Sequence, residues 1–153
     1  MNHFNFLTRQ DLLKYYSERL SIEDSSGIEL EDDSKTFAHA VATCSSIEEL
    51  KKSTADYVLI GIPEDIGVRA NFGRAGAAGA WNAFLGAFLN LQHHEDNDAG
   101  RFCVLGNVIV NDLMNACESL NAAHHDQRIQ LSKAVEELDG RVTIVIKEVI
   151  AKP

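Results

Sequence analysis

The chain has 153 residues, 45% hydrophobic and 24% charged, with 14 Lys plus Arg against 23 Asp plus Glu and a net charge of -9. That length fits one domain with a real core, and the acidic balance argues against nucleic acid or an anionic membrane as partner. No apolar run reaches the length of a membrane helix, and the N-terminus lacks the features of a secretory signal, so a cytoplasmic protein is expected. The three cysteines, Cys44, Cys103 and Cys117, are widely spaced and form no Cys-x-x-Cys pair. They read as buried free thiols.

Thr8 is placed to cap a first helix from about Arg9 to Leu20, with Leu12, Leu13, Tyr16 and Leu20 on one face. Ser21 to Lys35 is acidic and reads as a solvated loop. Phe37 to Thr43 is short and apolar, a strand or a turn of helix. Ser46 with Glu49 matches a capping box and predicts a short helix from Ile47 to about Lys52. The run Tyr57 to Ile62, YVLIGI, is continuously apolar, which predicts a strand covered on both faces. Pro63 is placed to end it.

A polar, glycine-rich segment from Asn71 to Gly79 leads into the clearest helix of the sequence. Ala77, Ala80, Trp81, Phe84, Leu85, Phe88 and Leu89 give it one wide apolar face. Gln92 to Gly100 is a polar loop, and Phe102 to Val110 a second strand, interrupted by Gly106 and Asn107. A helix is expected from near Asp112, a break over Asn121 to Asp126, and a further helix carrying Leu131, Ala134, Val135 and Leu138. Asp139-Gly140 reads as a breaker. The last segment is divided: β-branched content favours a strand, while Val142, Val145, Ile146, Val149 and Ile150 fall at helical spacing.

Candidate chemistry is sparse. The adjacent pairs His93-His94 and His124-His125 point about 100° apart on a helix and complete no metal pattern; they read as solvated polar residues. Asp65, Asn71 and Arg74 stand at the C-terminal edge of a strand, where open α/β sheets hold ligands, and Gly73 and Gly76 permit tight backbone there. The structural alternative is an Asx-turn at Asp65, an ion pair at Arg74 and glycines that serve the turn. A dinucleotide loop, a phosphate loop and a nucleophile elbow are all missing.

The segment Gly61 to Leu85, GIPEDIGVRANFGRAGAAGAWNAFL, resembles the N-terminal signature of the ureohydrolase family, which contains arginase, agmatinase and formimidoylglutamase. The carriers are Gly61, Pro63, Asp65 and Gly67 in the turn, then Asn71, Gly73, Arg74, Gly76 and Ala77 before a helix. With Asn71 ahead of the Gly-Arg pair it is closest to formimidoylglutamase or bacterial arginase-like members. The likeness extends more weakly over Ala55 to Lys152. The second strand ends Gly106-Asn107 where the family often has Gly-Asp or Gly-Glu.

The resemblance implies an α/β chain: a partial three-layer α/β/α arginase-like fold with a mostly parallel sheet, truncated before the metal-ligand strands. It implies two manganese ions in a full-length relative, which activate a water against a guanidinium or formimino carbon. Its ligand segments, of Gly-Gly-x-His, Asp-x-His-x-Asp and Asp-x-Asp type, do not occur here. The chain is therefore read as an incomplete N-terminal portion, a single domain over 1–153, that binds no metal and is inactive alone. In the intact enzyme Asp65, Asn71, Gly73 and Arg74 would border a small amidine or guanidinium substrate. The resemblance also favours helix for Val142 to Ala151. Unpaired strand edges and uncovered apolar surface predict a homo-oligomer. The alternative function is a stand-alone degenerate domain that serves as an interaction or oligomerisation module.

Overall fold

A computed structural model describes residues 1–24 and 36–151; of the loop expected between Ser21 and Lys35, Ser21 to Asp24 instead continue the first helix, and 25–35 lie outside the described residues. The chain is α/β. It divides into two compact units: one made of Met1–Asn5, Gly61–Trp81 and Asn107–Pro153, the other of Phe6–Ile60 and Asn82–Gly106.

The sheet has three strands, β1 (Phe4–Phe6), β2 (Tyr57–Gly61) and β3 (Phe102–Val108), in the order β1-β3-β2. The expected mostly parallel sheet is instead mixed. Backbone bonds from Leu7 N to Leu105 O (3.0 Å) and from Ile109 N to His3 O (2.8 Å) run in antiparallel register. The bond from Asp56 N to Arg101 O (2.8 Å) leads β2 in beside β3 in the same direction. The three residues of β1 are too few to show a period, and the sequence gives no sign of that strand. β3 is buried along most of its length, as its apolar run implies. β2 is not. It pairs with β3 alone among the described residues, and Tyr57 at its start is 49% exposed. An apolar run shows what a strand could bury, not whether a second neighbour arrives to bury it.

In the second unit, α1 (Arg9–Asp24) begins at a reciprocal cap. Thr8 Oγ1 accepts from Asp11 N at 3.2 Å, and Asp11 Oδ2 accepts from both Thr8 N and Thr8 Oγ1 at 2.8 Å. Leu12 and Tyr16 are buried on its inner face. Phe37 to Thr43 resolves into both of its readings. A turn of helix, α2 (Phe37–Ala40), is followed by a parallel bridge from Ala42 to Cys103. The Arg9 guanidinium donates to the carbonyls of Ala38 (2.7 Å) and Val41, groups that the end of so short a helix leaves open. α3 (Ile47–Lys52) has the expected cap, Ser46 accepting from Glu49 N at 3.1 Å, while Glu49 Oε2 reaches back to Ser45 N at 2.6 Å.

After the short α4 (Ile66–Ala70), a 3-10 turn over Ala77–Gly79 leads into α5 (Ala80–Phe88). Of the predicted apolar face, Leu85 and Leu89 are fully buried and Phe84 is 44% exposed. Within the second unit Phe88 is central to an aromatic cluster. Its ring meets Phe37 (5.1 Å, 87°) and Phe102 (5.4 Å, 75°) edge-on and stacks on Phe84 (5.3 Å, 19°). Tyr57 stacks on Phe102 at 5.1 Å. The Arg101 guanidinium lies over the Tyr57 ring at 5.4 Å and is held by Asp56 at 2.7 Å.

In the first unit, α6 (Asn111–Cys117) and α7 (His125–Ile150) carry the core. Ile66, Cys117, Ala122 and Leu131 are buried together. α7 is a single helix of 26 residues. The helical reading of Val142 to Ala151 holds to Ile150, and Asp139-Gly140 does not break it. Gly140 faces open space, so it costs only about 1 kcal/mol relative to alanine. Arg141 beside it is anchored. It is 6% exposed, its two terminal nitrogens grip Asp112 at 2.7 and 2.6 Å, and Nη1 also reaches the Ile109 carbonyl at 2.9 Å. The last turns of α7 leave Ile144, Ile146 and Ile150 exposed.

Candidate functional site

The loop that carries the motif belongs wholly to the first unit and is more structured than its sequence suggests. Gly61 is required by packing: a Cβ there would stand 2.3 Å from carbons of the Trp81 indole. Two landmarks of the motif, 20 positions apart in number, are thus one contact. Beyond Pro63, Glu64 Oε2 accepts from Gly67 N at 3.0 Å. A five-residue helix, α4 (Ile66–Ala70), follows where a loop was expected. It is too short to show a period, and Gly67 hides its propensity.

Asp65 stands just before α4 and is buried, with 5% exposure. It makes no Asx-turn. Oδ2 accepts from Gly76 N at 2.8 Å across the loop. Oδ1 has no hydrogen-bond partner among the described residues, with Arg69 Nη1 3.8 Å away. The ion pair anticipated at Arg74 is therefore made by Arg69. Arg69 also donates to the carbonyls of Cys117, Glu118 (3.1 Å) and Leu120 (3.1 Å), the open end of α6. Asn71 is exposed and turned back on its own helix, donating from Nδ2 to Gly67 O at 3.2 Å. Arg74 is exposed.

α4 ends in a Schellman motif, with Gly73 N donating to Val68 O (2.8 Å) and Phe72 N to Arg69 O (3.1 Å). The earlier of these two donors in the chain, where the backbone turns left-handed, is usually glycine. Here it is Phe72, with φ 61° and 66% exposure. The Arg128 guanidinium lies 5.7 Å from its ring centre. Glycine instead falls one place later. A Cβ on Gly73 would lie 2.3 Å from Val68 Cγ1 and 2.8 Å from Val68 O. Gly76, at φ 129°, turns the backbone so that its amide faces Asp65.

Against Arg69, Phe72 and Gly73 the turn Ser119–Ala122 closes an open cavity of about 420 Å³. Of the four predicted site residues only Gly73 lines it. Asp65 faces inward, Asn71 is spent on α4, and Arg74 points to solvent, so the four are not gathered round one ligand. Arg69 and Phe72, which line the cavity, are not among the residues the sequence points to. A bulky residue at the place where a helix normally ends in glycine is the signal that could have found Phe72.

The pair of manganese ions implied by the resemblance finds no fitting donors in this loop. It offers two carboxylates, and both are engaged: Glu64 accepts from Gly67 N, and Asp65 lies between the Gly76 amide and the Arg69 guanidinium. Among the described residues no group of three or more His, Cys, Asp or Glu could hold a metal ion. His93 has a structural place, its Nδ1 accepting from Ala99 N at 3.0 Å. His94, His124 and His125 are exposed. All three cysteines are free and buried. Comparison with protein-family models, with curated proteins and with solved structures returns no match. No helix among the described residues is long and apolar enough to cross a membrane.

Proposed function

We propose that Tyr57 to Leu91 is the opening strand, loop and helix of a ureohydrolase-type domain. The chain is then the N-terminal part of a partial α/β/α arginase-like fold. The parent enzyme hydrolyses a linear amidine or guanidinium C–N bond, such as that of arginine or formiminoglutamate, with manganese held by residues that this stretch does not supply. The observation that carries the reading is the mutual dependence of the motif residues. Gly61 exists for Trp81, Asp65 for Gly76, and Gly73 for Val68. A signature whose residues need one another is a unit of structure rather than a chance run of glycines. In this reading the loop shapes the rim of a substrate site, with Arg74 free to meet the polar end of the substrate.

The test is made in a full-length ureohydrolase that carries the same Gly-x-Pro-x-Asp loop. Replacing the arginine that matches Arg74 by alanine is expected to lower kcat/KM; an unchanged value removes Arg74 from the site. The chain itself, given manganese and arginine, agmatine or formiminoglutamate, is expected to release no urea or formamide above the buffer rate.

A second reading, an interaction or oligomerisation module, is favoured by the exposed aromatic edge of the second unit. Tyr57 and Phe84 stand on it beside a strand that has one partner among the described residues. Sedimentation at micromolar concentration is expected to show a dimer or larger species. A monomer throughout would count against association.

A further inference from the structure

Cys44 and Cys103 are far apart in the chain and meet in the core of the second unit. Cys103 lies on the central strand β3, and the extended segment after α2 runs parallel to it, with Ala42 N bonded to Phe102 O (2.9 Å) and Val104 N to Ala42 O (3.0 Å). This fixes the register and brings Cys44 to the side of Cys103. The Cys103 thiol donates to the Cys44 sulfur at 3.6 Å. Both are free and buried.

A disulfide holds its sulfurs at about 2.05 Å, so each would need to move only ~0.8 Å, within reach of a modest side-chain rotation. We propose that Cys44 and Cys103 form a latent disulfide site, closed by a small-molecule disulfide oxidant, which then locks the α2–α3 segment to β3.

The order of events follows from burial. Cys44 sits on an irregular segment and is the less enclosed of the two; Cys103 lies inside the sheet. On a local opening of the Val41–Ser46 segment the Cys44 thiolate attacks one sulfur of oxidised glutathione, and one glutathione thiolate leaves. The Cys103 thiolate then attacks Cys44 sulfur in that mixed disulfide, and the second glutathione thiolate leaves. Two protein thiols are oxidised, one glutathione disulfide is reduced to two thiols, and the two protein protons pass to the leaving thiolates. Burial raises both thiols above the usual range, Cys103 to about 12, so the native pair reacts slowly at neutral pH and faster as pH rises.

The test compares native with denatured oxidation. In the unfolded chain Cys103 and Cys117 are the closer pair, and loop closure favours them over Cys44 and Cys103 by roughly ninefold. The folded protein treated with oxidised glutathione is expected to reverse that preference. It should lose about 2 mass units, keep Cys117 alkylatable, and yield a cross-linked peptide joining Cys44 to Cys103. The Cys117→Ser variant should form the same bond, and Cys44→Ala should form none. The oxidised protein should melt at least about 5 °C higher, because the loop it closes is long. A native product linking Cys103 to Cys117, a glutathione adduct that persists on Cys44, or three unreacted thiols would overturn the proposal. So would a cross-linked protein melting at or below the reduced one.

Discussion

The loop from Gly61 to Gly79 and the aromatic cluster around Phe88 are built by opposite means. The loop is held by directed polar contacts: a buried carboxylate on an amide, an arginine on three carbonyls, glycines where a Cβ has no room. The cluster is held by ring contacts around Phe88 and is left partly open at Tyr57 and Phe84. In the loop, residues with the look of a catalytic site serve the backbone. In the cluster, residues with the look of ordinary core reach the surface. Residue type is therefore a poor guide to function in either region; what each group is bonded to decides.

The contrast breaks first at Phe37. It is fully buried between Phe88 and Phe102, and Phe37→Ala is expected to cost about 3–5 kcal/mol in urea unfolding. A loss below about 1 kcal/mol would mean that the cluster does not hold its unit together. Next is Asp65. Asp65→Ala strips Gly76 N–H of its acceptor and is expected to cost about 1–3 kcal/mol, whereas Arg74→Ala in the same loop should stay within about 0.5 kcal/mol. Equal effects would erase the distinction between an inward and an outward residue. Phe72→Gly should stabilise by up to about 1 kcal/mol, because glycine accepts the left-handed position at no steric cost. A clear drop in Tm would show that the ring's contact with Arg128 outweighs the strain.

The smallest effect is in pH. Hydrogen bonds from Arg141 hold the Asp112 carboxyl at about 2, below its unfolded value of about 3.9. A depressed carboxyl stabilises fully above the unfolded value, and that contribution fades as pH falls from about 4 to about 2. Because Asp112 is largely solvent-exposed, screening keeps it modest. Asp112→Asn should flatten that part of the acid titration of stability; an unchanged slope would place the acid sensitivity elsewhere.

The parts of the fold written in local chemistry were legible in the sequence: the caps at Thr8 and Ser46 and the strand from Tyr57, whereas for Val142 to Ile150 the helical spacing was balanced by β-branched content. Three things were not. β1 and α4 are too short to carry a period. α7 continues past Gly140 and places Arg141 on Asp112, a contact no local pattern records. The exposure of β2 depends on which strands pair with it. In the loop, Asp65 is buried and tied to the Gly76 amide. Asn71 and Arg74 look like ligands in the sequence because they are polar and flank glycines; the contacts of Arg69 with the end of α6 join residues about 50 positions apart, which no local pattern records.

The reading of this chain as the front of a ureohydrolase is tested most directly by the coding sequence downstream of Pro153. An open frame is expected that continues within a few residues to a Gly-Gly-x-His segment and then to Asp-x-His-x-Asp. A stop codon directly after Pro153 would contradict it and leave the interaction module as the standing account.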